Sequence, residues 1–594
     1  MKENLEIASK IALDTVPRLF RQTAQKYGDR VAMRKKEYGL WHDISWTDYY
    51  RQAKYVGSAL ISMGLEKGDC VSIIGDNCPE WVIIDLGIQC AGGVAVGVYS
   101  TNAWPQVEYV VQNSESKFFF VENEEQLDKW LHFRDNAPLL EKVIVWDLEG
   151  LRHFEDPMVI TYDDILELGR KVVEKEPDLF EKRTNEVTPE DVSVLIYTSG
   201  TTGPPKGAML THRNVTWMGG AVQSGVLIED TDDALSFLPL CHVFQRLFSV
   251  FVHITYGFTV NFVESLETIT DNMKEISPTF GIAVPRIWEK YLSAIYIRMS
   301  DATWFKKVVF GLALKIGKHR ATLRMNFKPI PFYIEGLYQL AYFAVFRKLK
   351  ERLGFERMRV AISGGAPISP DVLHFFQSIG FNLIEGYGQT GVGPPLTGVE
   401  VKIAEDGEIL VKSPGVFKGY YKDPEATAET IKDGWLYSGD VGELDEDGYL
   451  KITDRKKDII VTAGGKNITP QYIENKLKFT SYINDAVIIG DKRKFITALV
   501  MIDEDNVVKY AQDNKVQFST YKDLTQSPEI IKLIQGEMAN VNETLSRVEQ
   551  VKKFTILPKK LYEEDGEVTP TMKVKRKYVN EAFSDLIEAM YKRK

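Results

Sequence analysis

Cysteine is scarce in this chain. Four occur in 594 residues (Cys70, Cys78, Cys90 and Cys241), and none has the C-x-x-C spacing of a zinc or redox site. That excludes a disulfide scaffold and a structural zinc motif, and it suits a reducing compartment. Cys78 and Cys90 lie in apolar surroundings and read as buried free thiols. Long apolar runs are missing too. The nearest, 329–346, is broken by Glu335, Gln339 and two prolines, whereas a membrane-spanning helix needs about 20 nearly uninterrupted apolar residues. Met1 to Lys10 carries charges without an apolar core, so no secretory leader is expected and the cytoplasm is the expected location. Positive charge is in deficit: the net charge is −10 and the isoelectric point near 5.6. That balance argues against nucleic acid as a partner. The chain has neither an internal repeat nor a low-complexity tract.

What it does have is a dense run of small and hydroxylated residues. Tyr197-Thr198-Ser199-Gly200-Thr201-Thr202-Gly203-Pro204-Pro205-Lys206-Gly207 places four Ser/Thr hydroxyls, three glycines and one lysine in eleven residues. The run follows Val192, Val194, Leu195 and Ile196, which read as a buried strand. Glycines let backbone N–H groups approach an anion, hydroxyls donate to phosphate oxygens, and the lysine adds charge. This is a phosphate-gripping loop, but not a Walker A loop, in which Gly-Lys precedes Ser or Thr. Here Lys206 stands between Pro205 and Gly207. The alternative is a polar surface turn with accidental glycines.

Further motifs follow in order: Gly364-Gly365-Ala366-Pro367, Glu385-Gly386-Tyr387-Gly388-Gln389-Thr390, Tyr437-Ser438-Gly439-Asp440, Asp454-Arg455-Lys456-Lys457-Asp458, and Thr569-Pro570-Thr571-Met572-Lys573-Val574-Lys575-Arg576. Together with the loop they resemble the adenylate-forming superfamily of acyl-CoA synthetases, firefly-type luciferases and peptide-synthetase adenylation domains. The resemblance covers nearly the whole chain. It implies ATP, Mg²⁺ and CoA as cofactors, with Thr198, Ser199, Gly200, Thr201, Thr202, Gly203 and Lys206 around the outgoing phosphates and Thr198 also at the metal. It assigns Gly364, Gly365 and Ala366 to the adenine side. Glu385, Gly386, Tyr387, Gly388, Gln389 and Thr390 would stack on adenine and touch the α-phosphate, and Asp440 and Arg455 would hold the ribose. Lys573 would be the catalytic lysine between substrate carboxylate and α-phosphate, acting with Thr198 and Lys206. Lys457 would be the interdomain hinge, Gly464, Gly465 and Lys466 the CoA face, and His242 part of the acyl pocket.

The residue types suit these roles. Tyr387 offers a flat face between two glycines, Asp440 accepts hydroxyls, and Lys573 is a point charge on a long stem. Val284-Pro285-Arg286-Ile287-Trp288-Glu289-Lys290, with the helical region that follows, resembles the long-chain fatty acyl-CoA synthetase branch. The implied activity is ATP-dependent conversion of a long-chain fatty acid to acyl-AMP with release of pyrophosphate, then transfer to CoA. The two half-reactions need different groups in one place, so rotation about Lys457 is expected between them.

Strand-like runs (Val71–Gly75, Lys117–Val121, Lys142–Val145, Val192–Tyr197, Arg359–Ser363) alternate with helical periodicity (Thr47–Met63, Val107–Asn113, Leu373–Gly380). The fold class is therefore layered α/β. Short alternating strands and turns over 398–451 read as a small β-rich subdomain. The expected division is an N-terminal adenylation domain over 1–454 and a smaller mobile α+β domain over 455–594.

Two features stand apart. Segment 304–359 carries thirteen lysines and arginines against three acids, interleaved with Trp304, Phe305, Phe332, Tyr333 and Phe346. Peripheral contact with an anionic membrane and a solvated helix face are both open for it, and a homodimer is an open option for the whole chain. The second feature is a gap. The resemblance calls for a metal-binding glutamate and a loop after Thr390, but Gly391-Val392-Gly393-Pro394-Pro395 follows at once. Two alternatives follow: a catalytically impaired nucleotide- or acyl-binding homologue, and an enzyme that stops at acyl-AMP.

Overall fold

The computed structural model describes residues 14–198, 204–326, 328–387, 396–445, 450–562, 565, 567–568 and 574–592. Its centre is an eight-stranded sheet in the order 419–420, 206–211, 192–198, 94–98, 70–74, 118–121, 142–145, 159–161. The six strands from Val192–Thr198 outward are parallel. The other two pair antiparallel at one edge. Strands Cys70–Ile74, Val94–Val98 and Phe118–Val121 are buried throughout, as continuous apolar runs are when helices cover both faces of a parallel sheet. One cover is helix Pro79–Cys90, where every residue except Glu80 is buried. Another is Trp46–Ser62, started by the Ser45 hydroxyl, which accepts from the Asp48 N–H at 3.0 Å.

A second sheet runs 233–236, 259–262, 31–37, 40–45, and a third joins Phe280–Ala283, Val360–Ser363 and Leu383–Glu385 in parallel. The expected strands and helices are present with ends shifted by a few residues. The β-rich stretch forms a sheet of 400–403, 408–412, 435–444 and 431–432, with Leu450–Arg455 paired to the long strand. Its buried side chains Ile409, Val411, Phe417 and Leu436 join the main N-terminal core. After Asp458 a different core begins, from Ile460 to Ile556, around a sheet of 483–489, 497–502 and 553–556. All four cysteines are buried thiols outside any disulfide, and burial pushes the Cys70 thiol up to about 12.

One charged pair sits in the main core. Asp85, on helix Pro79–Cys90, and Arg246 are both fully buried. The Arg246 Nε donates to Asp85 Oδ2 at 3.1 Å, and a second guanidinium nitrogen contacts Oδ1. The Gln89 amide donates to Asp85 at 2.8 Å, the Ser193 hydroxyl donates to Gln89 at 2.5 Å, and Arg246 lies 5.0 Å from the centre of the Trp81 ring. Breaking such a pair leaves one buried charge without compensation, at a cost of about 3–5 kcal/mol. Asp85→Ala is expected to lower the free energy of unfolding by that amount, seen as a lower urea midpoint. Replacing both partners with Leu and Met should recover most of the loss, and denaturation of the single and double variants checks this.

Candidate functional site

The three parallel strands of the third sheet end side by side, with Ala283, Ser363 and Glu385 in register. Their C-terminal ends release Val284, the Gly364-Gly365-Ala366 turn and Gly386-Tyr387 along one edge, where open α/β sheets place ligands. The glycines answer to steric demands. A Cβ on Gly364 would lie 2.9 Å from the Phe244 ring, and one on Gly386 would lie 2.8 Å from Ile362. Gly365 adopts φ +81°, which a side chain would strain. Glu385 ties the two motifs together: its carboxylate accepts from the Ile368 N–H at 3.0 Å.

Tyr387 and Asp440 come from segments 53 residues apart and meet through the tyrosine hydroxyl, which donates to Asp440 Oδ2 at 2.7 Å. Burial and the adjacent carboxylate hold the Tyr387 phenol well above its ordinary pKa, so it stays a donor. Arg455 pairs with Asp440 across two antiparallel strands, and its Nε lies 3.5 Å from the carboxylate. Gly439 adopts φ +71°, and its N–H donates to Glu408 at 2.8 Å. Lys456 clamps the same turn, donating through its ammonium to Glu408 at 2.9 Å and through its backbone N–H to the Gly439 carbonyl at 2.9 Å. Sequence reasoning missed Glu408 and Lys456 as supports. Glu408 carries no motif, and only the strand pairing brings it here.

Against these residues lies an apolar cavity. Its wall includes Val215, Met218, Leu247, Phe248 and Phe251, with Gly365, Tyr387 and His242 also lining it. His242 is thus one of the residues lining the cavity. Its Nδ1 accepts from the Phe244 N–H at 3.2 Å and starts the short helix Val243–Arg246. The aromatic rings of Phe244 and Phe248 also line the cavity. Trp217 is instead packed behind Met218, and Phe237 belongs to another core.

The phosphate-loop candidates Ser199, Gly200, Thr201, Thr202 and Gly203 lie outside the described residues. Their flanks are a hairpin in which Thr198 pairs with Lys206. Lys206 is exposed, and its ammonium lies 3.1 Å from Asp423, a surface pair worth at most about 1 kcal/mol and readily exchanged for another anion. Gly388, Gln389, Thr390 and the gap after Thr390 also lie outside the described residues, as does Lys573. On either side of the Lys573 segment, Val568 and Val574 form an antiparallel bridge. Arg576 then anchors the following helix, donating to Glu474 at 2.6 and 2.5 Å.

Lys457 is exposed in a tight turn closed by the Asp458 N–H donating to the Arg455 carbonyl at 2.9 Å. Gly464, Gly465 and Lys466 form the tip of a hairpin, where Gly465 has φ +72° and a Cβ on either glycine would meet nothing within 4 Å. In this arrangement the C-terminal part touches the N-terminal part through Lys509 and Asp301 at 2.5 Å and through Arg286 and Asn484 at 3.5 Å.

The chain belongs to the AMP-binding enzyme family, which it matches over residues 20–397, with the AMP-binding enzyme C-terminal domain matching over 457–594. It is 35% identical over 578 residues to the long-chain-fatty-acid–CoA ligase FadD15 of Mycobacterium tuberculosis, covering 93% of each chain. To the long-chain-fatty-acid–CoA ligase ACSBG2 of Xenopus laevis it is 32% identical over 628 residues, covering 97% of this chain and 84% of that one. Among solved structures, the carboxylic acid reductase A domain of Segniliparus rugosus, in complex with AMP and a co-purified carboxylic acid, shares the fold. The TM-score is 0.73 at 20% identity, with 100% of this chain and 96% of that one covered.

Asp454, at the start of the hinge motif, offers a pH test. Burial raises its carboxyl from 3.8 to about 6, against the smaller opposing effects of the Arg455 N–H and Arg576. The folded protein holds this proton more tightly than the unfolded chain. The stability it contributes is complete below the unfolded value and is lost as pH rises through about 6. Asp454→Asn should match wild-type stability in acid near the unfolded value and exceed it by about 1–3 kcal/mol at mildly alkaline pH. Thermal denaturation across that range reads the difference.

Proposed function

We propose that this protein joins a long-chain fatty acid to CoA at the expense of ATP, through acyl-AMP. The observation that carries the reading is the apolar cavity whose wall includes Tyr387, the residue bonded to Asp440. An apolar space thus adjoins a flat ring and a carboxylate able to accept hydroxyls. In the first step a carboxylate oxygen of the acid attacks the α-phosphorus and pyrophosphate leaves. In the second the CoA sulfur attacks the acyl carbonyl and AMP leaves. The first step gathers several anionic groups, so the protein's contribution is chiefly positioning and electrostatic.

In this reading the Tyr387 ring faces adenine, with Gly364, Gly365, Ala366 and Glu385 to Thr390 around it. Asp440 and Arg455 hold the ribose, with Tyr387 orienting Asp440. Lys206 exchanges Asp423 for a phosphate beside Thr198, Ser199, Gly200, Thr201, Thr202 and Gly203. Lys573 bridges carboxylate and α-phosphate, Lys457 is the pivot between residues 1–454 and 455–594, and Gly464-Gly465-Lys466 receives the pantetheine arm of CoA. His242 borders the acyl chain.

Among the described residues no cluster of three or more His, Cys, Asp or Glu could hold a metal. That fits a Mg²⁺ carried in by the ATP phosphates, which keeps several waters and needs few protein ligands. The Thr198 hydroxyl is the ligand on offer. Neither the relatives nor the assembled Tyr387–Asp440–Arg455 group favours the impaired alternative. Among the described residues no helix is long and apolar enough to cross a membrane. The partners proposed besides the substrates are an anionic membrane at the cytoplasmic face, met through 304–359, and a second copy of the chain.

Pyrophosphate release measured with acids from acetate to stearate, with and without CoA, tests the reading. Long acids should be preferred, with an acyl-CoA product only when CoA is present. A preference for acetate, or release independent of any acid, would contradict it. Lys573→Ala should slow acyl-AMP formation by about a hundredfold or more, the effect of one well-placed electrostatic group. Thioester formation from supplied acyl-AMP should stay nearly intact. Equal loss in both half-reactions would remove the argument for a hinge.

A further inference from the structure

Helices Trp304–Met325 and Phe332–Ala341, the latter continued by Tyr342–Phe346, pack against each other and against Pro370–Ser378. Their inner faces are well explained. Phe310, Ala313, Gly317, Ala321, Tyr338 and Phe346 are buried. Gly317 is pressed so close to Ser378 that a Cβ would lie 2.2 Å from its carbonyl oxygen. Arg320 cross-links the pair, donating to Glu335 at 2.7 Å and lying 4.1 Å from the centre of the Tyr338 ring.

The outer surface is not explained by the fold. Of the twenty-seven exposed large apolar side chains among the described residues, ten lie between Trp304 and Phe343. Trp304, Phe305, Phe332, Tyr333, Leu340 and Phe343 are 57–89% exposed. A soluble surface carries isolated apolar side chains, and a concentration of this size marks an interaction site. The charge around it is one-sided. Lys306, Lys307, Lys315, Lys318, Arg347 and Lys348 are exposed. The sequence tally overstates the free charge, because Arg320, Arg357 and Arg359 are in ion pairs and Lys350 is buried. The remaining cations still dominate within an acidic protein.

We infer that this helical pair is an interfacial docking face that lies flat on an anionic lipid bilayer, its aromatic and leucine side chains entering the acyl boundary and its lysines reaching lipid phosphates. The inference rests on the membrane partner proposed above and assigns the residues that meet it. Long lysine stems can follow the apolar surface while their ammonium groups reach the headgroups. The longer helix, about 30 Å at 1.5 Å per residue, gives a line of contact rather than a point. A second copy of the chain fits less well, since a two-fold interface through this face would bring cations against cations.

The test uses the full-length protein and vesicles of phosphatidylcholine, with and without phosphatidylglycerol. Co-sedimentation should require the acidic lipid and weaken with salt. Phe332→Ser with Phe343→Ser, and separately Lys306→Glu with Lys307→Glu, should each lower vesicle partitioning about tenfold or more. Both variants should keep wild-type acyl-CoA formation from a detergent-dispersed acid. Absent binding, equal binding to neutral vesicles, or undiminished binding by the variants would overturn the inference. So would a concentration-dependent dimer that the same substitutions abolish, which would assign the face to a second copy. A wild-type protein that binds acidic vesicles but ligates no acid would support the docking face and contradict the proposed function.

Discussion

The buried pair of Asp85 and Arg246 constrains the position of one wall of the apolar cavity. Both groups are fully buried, and moving each from water costs several kcal/mol before any attraction is counted. That cost is met only in one geometry, with two contacts to the carboxylate, an amide from Gln89 and the Trp81 ring beneath the guanidinium. Arg246 ends the short helix that His242 begins, and Phe244, Leu247 and Phe248 flank it on the cavity wall. Ser193, hydrogen-bonded through Gln89 to Asp85, belongs to the strand Val192–Thr198 at the centre of the large sheet. One desolvated charge pair thus ties the helix Val243–Arg246 on the cavity wall to the strand Val192–Thr198.

The edge that carries Tyr387 and Asp440 is held by a different logic. Three parallel strands in register deliver Gly364, Gly386 and Tyr387 to one edge. Backbone contacts then fix the turns: Glu385 on the Ile368 N–H, Glu408 on the Gly439 N–H, and Lys456 on the Gly439 carbonyl. Carboxylates aimed at backbone N–H groups pre-position Asp440 without occupying its side chain, and the Tyr387 hydroxyl then orients it. The C-terminal part brings its own core and makes polar contacts with the two ends of helix Pro285–Ser300, at Arg286 and Asp301. A thin polar interface of this kind permits relative motion of two units.

Much of this was legible in the sequence where chemistry restricts residue type. Continuous apolar runs gave the parallel strands, because burial on both faces leaves no alternation to read. The glycine turns and Asp440 were singled out through the resemblance of their motifs, and the structure brings Gly386, Tyr387 and Asp440 together. His242 was singled out through family resemblance alone, since a histidine in an apolar run is otherwise a core residue, and it lines the cavity. Asp85–Arg246 was not legible. Its partners are 161 residues apart, and no local pattern announces that two charges will be buried together. Glu408 and Lys456 escaped for the same reason. The basic segment shows the opposite error: composition counted every cation as free, whereas tertiary structure pairs Arg357 and Arg359 with Asp233 and Asp232.

The central claim is that the carboxylate of a fatty acid attacks the α-phosphorus of ATP beside Tyr387 and Asp440. Turnover of a fatty acid carrying heavy oxygen in its carboxyl group, with ATP and CoA, tests it most directly, because mass spectrometry of the products follows the attacking atom. The account predicts one heavy oxygen in AMP and none in pyrophosphate. Heavy oxygen in inorganic phosphate, formed together with ADP, would show attack at the γ-phosphorus and contradict it.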